Sequence, residues 1–374
     1  MSYTIVNILI LFYIDYAGIL FFNLLKIFFF DFFFIKNCYD IRGISYYTYK
    51  GAHSNTILNA WSFMTKRVHI AGILFASIFG FSFMFSKIAL DFVSPIGLIA
   101  YRFLIAFIAF EILRLTKVVK IRFQKSSFKY MFMVALFQPV LYFLLETFGL
   151  QLTTSGEAGM MIALIPIFVT ILSSIILKEK PNGIQFIFIL LSVSGVIFIQ
   201  VFKSNDGLDV NLVGFLLLLG AVLAAALFNI ASRTASKALK PYELTYFMML
   251  FGAVTFNIMY LIKLMSESRV SDYITNLYHI ELLLPILYLG IVASIGGFFL
   301  VNFALSKAPA HITSIYSNLS TIVAVIAGAL LLQEKLYYYH YIGSLMIVIG
   351  VYGTVSFRRY QNQKFVNKDI MNVE

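Results

Sequence analysis

Charge and cysteine are scarce in this chain. Asp, Glu, Lys and Arg make up only 12% of its 374 residues, whereas 61% are hydrophobic. Soluble domains carry about 25% charged and about 45–50% apolar residues, so a water-soluble globule is excluded. A single cysteine, Cys38, rules out an intramolecular disulfide and a thiolate metal cluster. His69, His279, His311 and His340 stand near interfaces without metal-ligand spacing, so neither metal nor cofactor is expected. The sequence contains no H-E-x-x-H and no G-x-x-x-x-G-K-[ST] loop for a nucleotide-driven pump. Thr154-Ser155-Gly156 lacks the preceding glycine and the buried histidine base that an intramembrane serine protease needs. The chain is therefore not expected to be an enzyme.

What is present is a series of apolar runs, with a mean hydropathy of +0.90. Runs of about 20 residues, at 1.5 Å each, cross a hydrocarbon core of about 30 Å. Lipid offers no partner to backbone polar groups, so these runs must be helices; their continuity excludes a barrel. Ten can be drawn, at 68–89, 95–115, 128–149, 156–177, 183–202, 212–234, 242–264, 282–305, 310–332 and 337–357. Pro95, Pro181, Pro241 and Pro309 fall at or near helix starts, where a missing N–H costs nothing. The connection at 265–281 is long enough to hold an extra short element.

One stretch returns. Thr153 to Pro181 contains the uncharged run Ala158–Leu177 with Pro166, closed by Lys178-Glu179-Lys180. Ala310–Glu334 matches the length of Ser155–Glu179 at an offset of 155 and likewise closes on its glutamate. At that constant offset Phe148 meets Phe303, Leu150 meets Leu305, Leu164 meets Leu319, Ile167 meets Ile322, and Lys180 meets Lys335. Thr321 stands where the first copy has Pro166.

A short hairpin, an apolar helix with a proline and a closing glutamate resemble the EamA domain of the drug/metabolite transporter superfamily. The resemblance covers roughly residues 66–357. It implies an all-α polytopic membrane protein of ten transmembrane helices, built as two five-helix repeats at 66–202 and 212–357. A basic cytoplasmic tail, 358–374, follows. Residues 1–63 lie outside the resemblance. Two readings stand for them: an extra apolar helix facing lipid, or upstream sequence with Met64 as the true first residue.

The net charge of +11 does not indicate nucleic acid, because the basic residues gather at helix ends. With Lys66 and Arg67 inside, alternate loops put Arg114, Lys117, Lys120, Arg122, Lys125, Lys129, Lys178, Lys180, Arg233, Lys237, Lys240, Lys307, Arg358, Arg359, Lys364 and Lys368 on the same side. Only Lys87, Lys203, Lys263, Arg269 and Lys335 fall on the other. Both ends of the 66–374 unit are thus expected in the cytoplasm of a cell membrane. Five helices per repeat then insert the second repeat upside down, the arrangement used by alternating-access carriers.

Polar groups inside such helices are costly and need a reason. Arg102 lies seven residues past Pro95, and Glu146 stands at similar depth in the third, oppositely directed helix. They read either as a charged pair lining a cavity or as a structural pair. An arginine at this point of the second helix also matches the family's pattern. Gln138, Pro139 and Tyr142 share the helix of Glu146, with Tyr142 and Glu146 four apart on one face. Asn302 pairs by offset with Thr147, and Tyr316, Asn318, Ser320 and Thr321 interrupt the ninth helix. These are candidate substrate-binding residues; singly, each reads equally well as helix–helix glue. Glu179 and Glu334, at helix ends, are expected to cap and gate, with Pro166 as a structural kink. Ser82, Ser86, Gly80 and Asn229 are expected to serve packing.

The function expected is a secondary transporter, an exporter of a small polar or amphipathic metabolite such as an amino acid, amine or drug. Protonation of Glu146 is the candidate link to a proton gradient. A channel or lipid scramblase is the alternative, and an intramembrane enzyme a more distant one. The expected partners are a small-molecule substrate and the bilayer, with a homodimer as the candidate assembly.

Overall fold

The computed structural model describes residues 54–121, 127–152, 161–203, 212–331 and 336–371. The chain divides into two units, Met1–Arg67 and Val68–Glu374. In the first, the described part is helical from Ser54; the alternatives for the segment before it lie outside the described residues.

Helices are the only regular elements among the described residues. They are α1 (Ser54–Leu90), α2 (Pro95–Leu115), α3 (Phe128–Gly149), α4 (Ile165–Leu177), α5 (Gly183–Lys203), α6 (Leu212–Ala235), α7 (Pro241–Ser266), α8 (Ile280–Lys307), α9 (310–331) and α10 (Tyr338–Met371). Eight of them, all but α4 and α5, contain a stretch long and apolar enough to cross a membrane. The described apolar stretches of α4 and α5 are shorter, Ile165–Leu177 and Gly183–Ile199. Ser155 and the rest of the hairpin before α4, at 153–160, lie outside the described residues, as does Glu334.

Local chemistry sets the helix starts. Pro95 opens α2, and the Ser94 hydroxyl accepts the Gly97 N–H at 3.4 Å. Pro241 opens α7, and the Glu243 carboxylate turns back to accept the Lys240 N–H at 2.9 Å. Each cap satisfies a donor that the first helical turn leaves without a carbonyl. At the other end of α4, Lys178 takes a left-handed conformation with φ 58° and stops the helix.

Two helices are widened from within. In α3, residues Leu136–Leu141 form a π-helical segment around Pro139, with Gln138 outside helical geometry. In α8, Tyr288–Gly297 do the same. Shifted by the sequence offset of 155, positions 136–141 fall on 291–296, inside the second segment. Such wide turns free carbonyls and side chains for other partners.

The helices pair in matched sets. α2 packs on α7, and α5 on α10; α3 and α4 both pack on α6. α8 packs on α2 as α3 packs on α7. On the other side of α1, a Cβ at Gly80 would sit 2.5 Å from Val323 and 2.8 Å from the Ser320 carbonyl of α9. Only glycine admits that approach. The seam between α5 and α10 is equally tight: Cβ atoms at Gly195 and Gly343 would each stand 2.7 Å from the other's carbonyl oxygen. Close backbone approach of this kind gives van der Waals contact that lipid cannot replace.

The connection between α7 and α8 does contain a short element, Asp272–Thr275 followed by Asn276–Tyr278. Aromatic hydroxyls hold it. Tyr101 Oη of α2 donates to the Tyr273 carbonyl at 2.7 Å, and Tyr273 Oη donates to Asn257 Oδ1 of α7 at 2.6 Å. Burial, aided by Tyr260, pushes the Tyr273 phenol up, so it stays protonated and a donor. Val270, Ile274 and Tyr278 of the same segment are exposed.

Candidate functional site

Arg102 lies on the buried face of α2, with 7% of its surface accessible. Its Nε donates to Ser294 Oγ of α8 at 2.7 Å. Ser294 Oγ in turn donates to the Leu289 carbonyl at 2.8 Å, five residues back in the widened turn. The π-helical geometry therefore presents a hydroxyl that is both held and holding. The guanidinium also lies over two rings, 5.1 Å from the Phe143 centroid and 5.8 Å from that of Phe103. A desolvated cation over aromatic faces gains about 2 kcal/mol, which offsets part of the cost of removing it from water.

On α3, Tyr142 Oη donates to Glu146 Oε1 at 2.9 Å, one helical turn away. Arg102 interacts electrostatically with Glu146, Tyr142 and Tyr288. Yet among the described residues no ion pair joins Arg102 to Glu146. The two side chains are thus near enough to interact without forming an ion pair. Tyr288 of α8 lines the same surroundings; its Oη donates to the Ile78 carbonyl of α1 at 3.0 Å, and its ring stacks on Phe85 at 4.2 Å. Four helices, α1, α2, α3 and α8, build this cluster.

The other residues singled out from the sequence fall elsewhere. Asn302 is fully buried, accepts from Ser232 Oγ at 2.7 Å and donates to Thr245 Oγ1 at 3.0 Å. It ties α6, α7 and α8 together. Asn318 Nδ2 donates to Ser192 Oγ of α5 at 3.2 Å, and Ser320 Oγ donates to the Ser317 carbonyl at 2.5 Å. Tyr316 Oη and His69 Nδ1 of α1 are 2.6 Å apart. The side chains of Gln138 and Thr321 make no hydrogen bond among the described residues, and both residues are part-exposed. Pro166 is buried near the start of α4, its carbonyl accepting from Thr170 Oγ1 at 2.7 Å.

Glu179 occupies a junction of its own. Its Oε1 accepts from Arg233 Nε of α6 at 2.9 Å, and its Oε2 accepts the Ala310 N–H at 3.1 Å. Arg233 Nη1 also donates to the Leu305 carbonyl at 2.9 Å. A carboxylate at the first amide of α9 meets the positive end of that helix dipole, and a guanidinium at the last turn of α8 meets a negative one. The ends of α4, α6 and α8 and the start of α9 are thereby fastened at one corner.

Sequence reasoning did not single out Ser294, Tyr288 or a role for Arg233 beyond its charge. Ser294 sits at the repeat offset from Pro139, the one signal that marked it in advance. No group of three His, Cys, Asp or Glu gathers among the described residues.

A bundle of apolar helices around a sparse charged cluster defines an integral membrane protein. The EamA-like transporter family matches twice, over residues 66–201 and 212–356. A Bacillus subtilis protein, "Uncharacterized transporter YcxC", is 39% identical over 286 residues, covering 76% of this chain and 92% of its own. A "Probable amino-acid metabolite efflux pump" of Escherichia coli is 25% identical over 293 residues, 77% of this chain and 95% of its own. A solved crystal structure aligns over 80% of this chain and 99% of its own with a TM-score of 0.63 at 15% identity, and shows a shared fold. The chain belongs to the EamA-like transporter family. It is a membrane transporter.

Proposed function

We propose that this transporter is an alternating-access exporter of a small polar or amphipathic metabolite, such as an amino acid, an amine or a drug. The observation that carries the proposal is the Arg102–Glu146 arrangement: two opposite charges on neighbouring spans, held apart and each anchored by its own hydroxyl, from Ser294 and Tyr142. An inert structural pair would close to contact, because the attraction grows as the dielectric falls. A space between them is what a solute needs.

The helix pairings support two five-helix repeats. Exchanging each helix with the one five places on maps α2·α7 and α5·α10 onto themselves, α3·α7 onto α8·α2, and α3·α6 onto α8·α1. Members of each set are in contact here. With the bias of Lys and Arg between alternate loops, this favours oppositely threaded repeats, with both ends of the 66–374 unit cytoplasmic in a cell membrane. The Glu179–Arg233 corner then closes the cytoplasmic side, and Glu146 couples flux to protons by binding and releasing one. The amino-acid metabolite named for the Escherichia coli relative fits such a solute class.

Purified protein in liposomes tests this. A carrier shows saturable counterflow, whereas a channel or scramblase does not. Glu146→Gln should abolish the pH dependence of flux; unchanged pH dependence removes Glu146 from coupling. Cysteines placed at positions 180 and 335 in a Cys38→Ser background should label from opposite sides. Labelling from one side would refute the inverted threading.

A further inference from the structure

α2 ends in a turn that sorts its side chains. Lys117 takes the left-handed conformation at φ 61°, and the Val119 N–H reaches back to the Leu113 carbonyl at 3.1 Å. The reversal buries Val119 and leaves Lys117, Val118 and Lys120 exposed. α3 then opens with Phe128, Lys129 and Phe132 exposed, the two rings stacked with centroids 6.5 Å apart. α2 and α3 each carry an apolar stretch long enough to cross a membrane, so the junction between them lies at a membrane surface.

Charge at this junction is unbalanced. Between Glu111 and Glu146 the sequence holds no acidic residue. Glu111 is itself occupied, accepting from Arg114 Nε at 2.9 Å and from Tyr246 Oη of α7 at 3.0 Å. Glu243, at the start of α7, is buried and accepts the Lys240 N–H. Lys117, Lys120 and Lys129 join no ion pair among the described residues. At the far end of α7, by contrast, Lys263 stands 3.9 Å from Glu267, and Arg269 pairs with Asp272 at 2.6 Å. The exposed Lys178 and Lys180 flank the Glu179 carboxylate.

Three uncompensated ammonium groups beside outward-facing rings complement a molecule with an anionic head and a hydrocarbon tail. A soluble phosphate or an acidic peptide would use the lysines alone; a phospholipid uses the lysines and the rings. We infer that the α2–α3 junction binds an anionic phospholipid, its phosphate held by Lys117, Lys120 and Lys129 and an acyl chain lying along Phe128 and Phe132. Lysine suits this task, because compact charges on flexible stems meet a phosphate without a fixed geometry. α2 carries Arg102 and α3 carries Glu146, so a lipid held there bridges the two spans that supply the charged cluster.

The experiment uses the purified full chain in an uncharged detergent, with melting temperature followed as each probe is added. The probes are phosphatidylglycerol, phosphatidylcholine, glycerol 1-phosphate, inorganic phosphate and polyglutamate. Phosphatidylglycerol should raise the melting temperature saturably, and the other four should not. Each of Lys117→Gln, Lys120→Gln and Lys129→Gln should weaken the apparent affinity about fivefold at low salt, and the triple variant about a hundredfold. Phe128→Ala should weaken it as well, which a site for the phosphate alone would not show. A control that removes equal charge elsewhere, Lys178→Gln with Lys180→Gln and Lys237→Gln, should keep the wild-type response. The wild-type comparison of the two lipids needs no variant, so a triple variant that fails to fold does not stop the test. Equal response to phosphatidylcholine overturns the inference, as does an equal loss in the control. A response to phosphate or glycerol phosphate that matches the lipid makes this a soluble-anion site, and one to polyglutamate a site for an acidic protein; either result overturns it.

Discussion

The Glu179 carboxylate accepts the amide hydrogen of Ala310, 131 residues further along the chain, while the same carboxylate holds Arg233. A glutamate that ends one repeat's hairpin thus caps the corresponding helix of the next. Both partners are only part-exposed, with side-chain accessibilities of 21% for Glu179 and 24% for Arg233, so water screens them incompletely.

Removing that carboxylate should loosen two contacts at once. Glu179→Ala leaves the Ala310 N–H and the Arg233 guanidinium without their acceptor. Charge-assisted hydrogen bonds contribute about 1.5–3 kcal/mol each, and solvent exposure pulls this toward the lower end. A loss of about 2 kcal/mol in unfolding free energy is expected, read from thermal melts in detergent. In a double-mutant cycle, Glu179→Ala and Arg233→Ala should fall well short of additive. Additive losses would show that the two residues act independently.

Ser294 should matter through Arg102 rather than through packing. Ser294→Ala removes the hydrogen bond that fixes the guanidinium beside the Phe103 and Phe143 rings. Saturable counterflow should slow about tenfold, equivalent to about 1.4 kcal/mol. Ser294→Thr keeps the hydroxyl and should restore most of it. A melting temperature that falls in both variants, with counterflow unaltered, would make Ser294 purely structural.

Asn302 gives the contrasting expectation. Its amide bridges Ser232 and Thr245 inside the bundle, and all its bonds go to neighbouring helices. Hydrogen bonds between membrane helices contribute about 0.6 kcal/mol on average and up to about 1.7 kcal/mol. Asn302→Leu should cost about 1–2 kcal/mol in stability and leave the pH dependence of counterflow intact. Altered counterflow with unchanged stability would return Asn302 to the binding site.

The sequence made the spans legible because lipid forces hydrophobicity to be continuous, and the offset between Glu179 and Glu334 made the duplication legible. Arg102 and the Tyr142–Glu146 pair stood out because intramembrane charge is rare and a spacing of four is a helix face. Ser294 did not, since serine in a membrane helix is common and its partner lies 192 residues away. Tyr316 looked like a cavity residue, but its hydroxyl is taken up by His69, 247 positions earlier, a contact that periodicity within one helix does not encode. The widened turns were equally hidden. Pro139 marked one, but the other, around Ser294, contains no proline and is announced only by position.

Tyr101 and Arg102 are consecutive residues, so one turn of α2 is tied at the same time to the connection before α8 and to the charged cluster. Any tilt of that turn when a solute arrives must tug on Tyr273. A dye attached near the exposed Tyr278 would therefore register a movement of α2 at a distance from the charged cluster itself.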